Sequence, residues 1–287
     1  MILNEHFTLS NGVTIPKLGI GTWLVEDADA AQNVCDGVAA GYRHIDTAQA
    51  YGNEKGIGKG IKQCGVKRDE LFITTKLAAE IKDYQGAVKA IKGSMKKLGL
   101  DVIDLMLIHC PTPWDNYGGA NRYFEGNREA WRALEEAYNA GSIRAIGISN
   151  FLKADIDNIF ASCKVAPMVN QLLVHVSNAP LKLIKYSHKK EMLVEAYSPI
   201  GHGAVLKHPT LVTIAKNYGA TVAQLCIRYD LQLGTLPLPK SENPKHILSN
   251  TKVDFVISKE DMEVLKNIEL IDYGKASSFP IYDPKKN

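Results

Sequence analysis

Nowhere in the 287 residues does an apolar run approach the ~20 residues that a membrane-spanning helix needs, so no membrane association is expected. The stretch Met1-Ile2-Leu3-Asn4-Glu5-His6 lacks the charged and apolar regions of a secretory leader. Cysteine is scarce. Cys35, Cys64, Cys110, Cys163 and Cys226 are odd in number, widely spaced and without a CxxC pair, which argues against a disulfide framework or a zinc site. They read as reduced thiols, and a cytoplasmic location is expected. Cys110, next to His109, is expected to be a small space-filling side chain. An excess of one charge sign is missing too: 34 Lys and Arg face 31 Asp and Glu, the lysines are scattered, and nucleic acid is not an expected partner. No low-complexity tract, linker or internal repeat interrupts the chain, so one domain over residues 1–287 is expected.

One further absence bears on the fold. An open doubly wound sheet wants a Gly-rich fingerprint at its first strand–helix turn. Gly19-Ile20-Gly21-Thr22-Trp23-Leu24 fails that spacing, and Gly56-Ile57-Gly58-Lys59-Gly60 sits inside a predicted helix with no strand before it. Both clusters are better read as positions of close packing.

What the chain does contain is alternation. Phe7–Ile15 reads as a hairpin around the two-residue turn Asn11-Gly12. Eight strand-like runs follow: 17–21, 43–46, 71–75, 103–108, 143–148, 168–171, 193–197 and 235–236. Amphipathic stretches lie between them, at 28–40, 54–62, 83–98, 127–140, 153–162, 180–189, 209–218 and 222–231, with a last short helix at 244–250. Repeated βα units predict a parallel sheet with right-handed crossovers. Eight of them in a chain of this size predict a closed (β/α)8 TIM barrel with an N-terminal β-hairpin. Two segments break the pattern: Pro111–Gly126, carrying Trp114, Tyr117, Tyr123 and Phe124, and the irregular tail Ile271–Asn287 with Phe279 and Tyr282. Both are expected as long loops at the C-terminal rim that set substrate specificity.

In such a barrel the ends of consecutive strands meet on one rim, where the chemistry is done. Asp46 and Tyr51, Lys76 and His109 stand at or just past the ends of three strand candidates. A phenol titrates near pH ~10 and gives up its proton poorly at neutral pH. An ammonium beside it is expected to pull that value down, with Lys76 in that role and Asp46 keeping Lys76 charged and in place. His109 is expected to hydrogen-bond a substrate oxygen. Taken singly these residues are ordinary, and only their joint placement points to function. His44-Ile45-Asp46 with His109 could suggest a metal, but later strand ends offer only Ser149-Asn150, Asn170-Gln171 and Tyr197-Ser198, so none is expected. Those amides and hydroxyls suit a carboxamide instead, and Tyr197 offers a face on which an aromatic ring could stack. Pro239-Lys240-Ser241 precedes a helix with Asn243 as N-cap and Pro244 at its first position; taken alone, a plain helix start is the better reading there than a phosphate site.

The chain resembles the aldo-keto reductases along nearly its whole length. The resemblance rests on Gly41–Ala48 with Tyr51-Gly52-Asn53-Glu54, then Thr74-Thr75-Lys76 and Leu107-Ile108-His109. Further matches are Ile146–Phe151, Asn170-Gln171, Ala196–Pro199 and Pro239-Lys240-Ser241. It implies a barrel enzyme that reduces aldehydes and ketones with NADPH, with Tyr51 as proton donor, Lys76 and Asp46 tuning it and His109 orienting the carbonyl. It further implies cofactor contacts from Gly21, Thr22, Asp46, Ser149, Asn150, Gln171, Tyr197, Ser198, Pro199, Lys240, Ser241, His246 and Asn250. Trp23 and Trp114, with Tyr51 and His109, are implied to shape the substrate pocket. A small-molecule carbonyl is the expected partner, and the protein is expected to be a monomer or weak dimer.

Two departures matter. His246 stands where the family often has Arg, which would fork onto a 2′-phosphate with a permanent charge. NADPH preference then rests on Lys240 and Ser241, with NADH as a weaker alternative. After Asn170-Gln171 the family commonly reads Glu, a spacer and His-Pro, whereas this chain has Leu173-Val174-His175-Val176. The missing Glu is expected to alter the support around Gln171.

Overall fold

The computed structural model describes residues 1–117 and 119–274. An antiparallel pair, β1 (His6–Thr8) and β2 (Thr14–Pro16), opens the chain, with Phe7 opposite Ile15. Its connection is longer than a two-residue Asn-Gly turn. Leu9 N donates to Val13 O and Gly12 N to Leu9 O, leaving Ser10, Asn11 and Gly12 as the loop. Gly12 takes the left-handed φ of +85° that closes such a three-residue hairpin.

Eight strands follow: β3 (Ile20–Gly21), β4 (His44–Asp46), β5 (Phe72–Leu77), β6 (Ile103–Ile108), β7 (Ile143–Ser149), β8 (Val169–Leu173), β9 (Leu193–Tyr197) and β10 (Leu236–Leu238). Each runs parallel to its sequence neighbour. Gly19 N donates to Pro237 O and Gly21 N to Pro239 O, so the last strand meets the first and the sheet closes. The (β/α)8 barrel is therefore the fold. All eight strand candidates of the sequence are present, most with ends moved by one to three residues.

The crossovers are α1 (Asp27–Ala39), α2 (Glu54–Gln63), α3 (Tyr84–Leu98), α4 (Phe124–Asn139), α5 (Lys153–Phe160) and α6 (Leu181–Lys189). Between β9 and β10 run a 3₁₀ segment, Gly201–Lys207, then α7 (Pro209–Asn217) and α8 (Val222–Gln232). The chain continues through α9 (Pro244–Ser249), capped by Asn243 with Pro244 in its first turn as expected, and α10 (Lys259–Lys266). α10 is not among the helices that the sequence predicts. Only Met262 and Leu265 of its eight residues are buried, too little periodicity to stand out.

The glycine clusters are packing devices, as expected. A Cβ on Gly56 would lie 2.1 Å from Asp27 O, and one on Gly58 would lie 2.4 Å from Leu98 O. Bare backbone on α2 thus lets α1 and the end of α3 approach closely, and α2 follows directly on the turn carrying Tyr51.

The Pro111–Gly126 segment is tied down. Asn127 Nδ2 donates to Pro111 O across its base, and Arg122 grips Asp155 at the start of α5. The segment makes a 3₁₀ turn at Trp114–Asn116, and α4 begins at Phe124, three residues earlier than the sequence suggests. Of the tail, Ile271 to Gly274 belong to the described residues; Phe279 and Tyr282 lie outside them.

Candidate active site

Strand ends bring the four candidates together. Asp46 is the last residue of β4, and Tyr51 closes the short 3₁₀ turn Gln49–Tyr51 just beyond it. Lys76 is the penultimate residue of β5 rather than a residue past its end, and His109 follows β6. Lys76 Nζ donates to both Asp46 oxygens at 2.7 and 2.8 Å, to Thr47 O at 2.9 Å and to Tyr51 Oη at 3.2 Å. Lys76 is wholly buried, so its charge survives only because Asp46 answers it.

The pKa directions refine the sequence expectation. Burial works against the Lys76 ammonium, but the carboxylate of Asp46 and the Tyr51 oxygen outweigh it and hold Lys76 above the ordinary value. Tyr51 shifts opposite to the expected direction. Its phenol is pushed up, chiefly by burial and also by the charges of Asp46 and Glu195, against the downward pull of Lys76. The ammonium does pull as expected; it pulls from a higher starting point. Tyr51 is therefore a neutral phenol at physiological pH. His109 is held well below its usual value by burial, then by the cations Lys76 and Lys82, so it is a neutral imidazole. Its ring meets Tyr51 edge-on at 5.6 Å and Trp114 edge-on at 5.0 Å.

These groups line one cavity of ≈ 540 Å³ on the C-terminal rim. Gly21, Trp23, Asp46, Tyr51, His109, Trp114, Ser149, Asn150, Gln171, Tyr197, Ser198, Pro199 and Lys240 all contribute to its wall. Trp23 stands edge-on to His202 at 5.3 Å, and His202 stacks on Tyr273, which pairs with His175 at 2.9 Å. The tail's first residues thus support the 201–207 side of the cavity. Of six non-glycine residues with positive φ among the described residues, four (Leu24, Asn150, Ser198 and His202) lie on this wall. Such strain concentrates at sites where the backbone must aim a group.

Not every residue implied by the resemblance faces this cavity. Thr22 is buried, and its hydroxyl donates to Asp46 O. Ser241, exposed His246 and buried Asn250, around α9, are absent from the lining. Lys240 is at the edge, but it pairs with Glu242 and reaches Leu24 O at 3.4 Å, so its charge is already answered.

The amides are also partly committed. Asn150 Nδ2 donates to His109 O and to Ser149 Oγ, and its Oδ1 accepts from Tyr197 Oη. Gln171, in the middle of β8, spends both hydrogens of Nε2 on carboxyl oxygens: Asp46 Oδ2 at 2.9 Å and Glu195 Oε2 at 2.7 Å. Two acceptors there dictate that nitrogen, not oxygen, faces them, which leaves Gln171 Oε1 as an uncommitted acceptor. An acceptor on the same cavity wall as the ring of Tyr197 suits a ring bearing a primary amide, a description that a nicotinamide group meets.

Sequence reasoning missed Glu195. It occupies the slot of support behind Gln171 that the absent Glu left in question, reached from the adjacent strand, since Gln171 and Glu195 are partners in register. A lone acidic residue inside the apolar run 193–197 was the available signal. His44 is likewise interior: its Nε2 pairs with Thr74 Oγ1 at 2.9 Å, and burial, then Lys76, push it down to about 3. Among the described residues no three His, Cys, Asp or Glu side chains gather as metal ligands, and no helix is long and apolar enough to cross a membrane.

The family model described as the Aldo/keto reductase family matches residues 17–270. The oxidoreductase YtbE of Bacillus subtilis (strain 168) is 40% identical over 267 residues, covering 91% of each chain. The glyoxal reductase of the same organism is 39% identical over 263 residues, again with 91% of each covered. Among solved structures, a Bombyx mori aldo-keto reductase in complex with NADP superposes with a TM-score of 0.85 at 33% identity, covering 97% of this chain and 98% of that one.

Proposed function

The chain belongs to the aldo/keto reductase family, and from that premise we propose that it reduces aldehydes and ketones to alcohols with NADPH, using Tyr51 as the proton donor. The observation that carries the reading is the contact of Tyr51 Oη with Lys76 Nζ at 3.2 Å, on the wall of the cavity that His109 shares.

A bound reduced nicotinamide supplies the hydride. Everything else falls to the chain. Tyr51, a neutral phenol, gives its proton to the carbonyl oxygen as negative charge grows there. Lys76 then lies within hydrogen-bond distance of the phenolate left behind, and Asp46 keeps that ammonium in place. His109 has Nδ1 buried without a partner, which favours the tautomer with hydrogen on Nε2, since a buried bare acceptor costs less than a buried orphan N–H. A neutral donor of that kind steadies the substrate oxygen without competing for Tyr51's proton. Gln171 Oε1 and the ring of Tyr197 would hold the nicotinamide. Trp23 and Trp114 wall the substrate side.

Support for NADPH comes from the family and the NADP-bound relative. Within this chain the support is thinner: His246 replaces a permanent cation, and Lys240 is paired with Glu242. NADH is the weaker alternative. We read the protein as one domain and as a cytosolic monomer or weak dimer, on the dispersed, free cysteines and near-neutral charge.

The test follows the consumption of NADPH with a reactive aryl aldehyde and with glyoxal, comparing wild type with Tyr51→Phe. Loss of a general acid should cost about 10²–10⁴-fold in rate with NADPH affinity unchanged. Equal turnover by the mutant would sink the assignment of Tyr51. Tight cofactor binding without turnover of any carbonyl would sink the reductase reading itself.

A further inference from the structure

Glu195 has no exposed surface, and Oε1 of its carboxyl has no hydrogen-bond partner. Oε2 accepts from Gln171 Nε2, the same nitrogen that donates to Asp46 Oδ2, so one amide bridges two carboxyls. Polar and charged groups reach Glu195 from neighbouring strands. From β4 come Asp46 and His44, whose Nε2 is 3.7 Å from Glu195 Oε1; from β5 comes Lys76; from β8 comes Gln171; and Tyr51 lies beyond Lys76. The register partner on β10, Leu236, is apolar. His44 and Tyr51 are neutral at physiological pH, and Asp46 cancels Lys76. The net charge of this buried floor is therefore set by the proton on Glu195.

We propose that Glu195 is the group through which this site tells an oxidised nicotinamide ring from a reduced one: it releases its proton to solvent when a positively charged ring is held at Gln171, and keeps it when the ring is neutral. The inference rests on the cofactor reading above. The physical ground is charge in a dry place. With Glu195 protonated the floor is neutral and suits the uncharged dihydronicotinamide; with Glu195 ionised it carries one negative charge and suits the cationic ring. Burial, reinforced by Asp46, pushes the Glu195 carboxyl up to about 8, which puts the switch in the working range. The other groups stay out of that range. Tyr51 and Lys76 are shifted upward, and His44 and His109 downward.

The sign is definite. Affinity for the oxidised cofactor should rise with pH relative to affinity for the reduced one. Contributions from the adenosine end, including ionisation of a 2′-phosphate, cancel because both forms carry it. At an effective dielectric of ~20, a unit charge roughly 12 Å away, across the Gln171 amide and the ring's own carboxamide, moves the ratio about ten-fold.

Dissociation constants for NADP+ and NADPH, measured from pH 6 to 9.5 by quenching of protein fluorescence, give the ratio directly. Calorimetry of NADP+ binding in two buffers of different ionisation enthalpy counts the protons. Wild type should release a fraction of a proton more with NADP+ than with NADPH, and the ratio should move about ten-fold. Glu195→Gln, nearly isosteric and still able to accept from Gln171, should bind both forms with a pH-independent ratio and with equal proton counts. A flat ratio in wild type overturns the inference, as does a pH dependence that persists in Glu195→Gln. The wild-type measurement stands alone should that variant not fold, and Glu195→Met is the second replacement. Absence of binding by either form would overturn the cofactor reading beneath it as well.

Discussion

Asp46 is asked to do two things with two oxygens. Oδ1 and Oδ2 both hold Lys76, and Oδ2 also accepts from Gln171. A neutral amide in its place could accept for one of these bonds but could not answer a fully buried ammonium. Asp46→Asn is therefore expected to destabilise the protein by about 3–5 kcal/mol, the usual cost of stranding one member of a buried ion pair. Carbonyl reduction should fall with it, as Lys76 shifts away from Tyr51. Denaturant unfolding checks the first effect, and single-turnover kinetics below the melting range the second. A loss under 1 kcal/mol would mean that the pair is solvated in solution. Glu242 is the contrasting surface case. Its pairing with Lys240 is exposed and contributes little to stability, yet it occupies the cation on which the proposed NADPH preference would rest. Glu242→Gln should tighten NADPH several-fold while leaving NADH within about two-fold, since only the former gains a freed charge at a 2′-phosphate. Equal changes for both cofactors would show that Lys240 does not face that phosphate.

At the scale of elements, α2 shows how backbone space positions chemistry. Gly56, Gly58 and Gly60 form the face on which α1 and the end of α3 rest, and α2 follows directly on the turn that holds Tyr51. Gly56→Ala would drive a methyl against Asp27 O, and overpacking of that kind costs about 1–3 kcal/mol. Gly93, in α3, meets nothing within 4 Å, so Gly93→Ala should instead stabilise by about 0.5–1 kcal/mol. Melting temperatures of the two variants should move in opposite directions; a shared direction would contradict the packing account. The same elements show what a sequence can reveal. Apolar runs between amphipathic stretches were enough to place eight strands, and strand ends were enough to place Asp46, Tyr51, Lys76 and His109. The wall of the cavity was only partly legible. Thr22 is an implied cofactor contact but turns its hydroxyl to a backbone oxygen, an orientation that spacing does not encode. Glu195 was hidden because its importance depends on register with Gln171 in the neighbouring strand. The direction of the Tyr51 shift was hidden because burial, a property of the whole barrel, outweighs the adjacent cation.

For the molecule as a whole, the buried titratable groups pull stability in opposite directions with pH. His44 at about 3 and His175 at about 4, with His109 also depressed, all by burial first, are neutral in the folded state. The unfolded chain protonates them below about 6.5, so the stability they contribute is lost as pH falls from there toward their folded values. Glu195, raised to about 8, and Asp230, raised well above its ordinary value by burial with neither oxygen partnered, act the other way. The unfolded chain ionises both carboxyls above roughly pH 4.5 while the folded chain keeps them protonated, so stability falls as pH rises toward 8. The wild-type optimum should accordingly be squeezed between the histidines below and the two acids above. Glu195→Gln removes one acid without removing its acceptor for Gln171. It should leave stability near pH 5 little changed and raise it by on the order of a few kcal/mol at pH 8.5, moving the optimum to higher pH. Urea titrations of both proteins at the two pH values read this directly. A gain equal at both would place the effect in packing rather than in a buried proton, and would leave the charge of the floor to be settled by Asp46 and Lys76 alone.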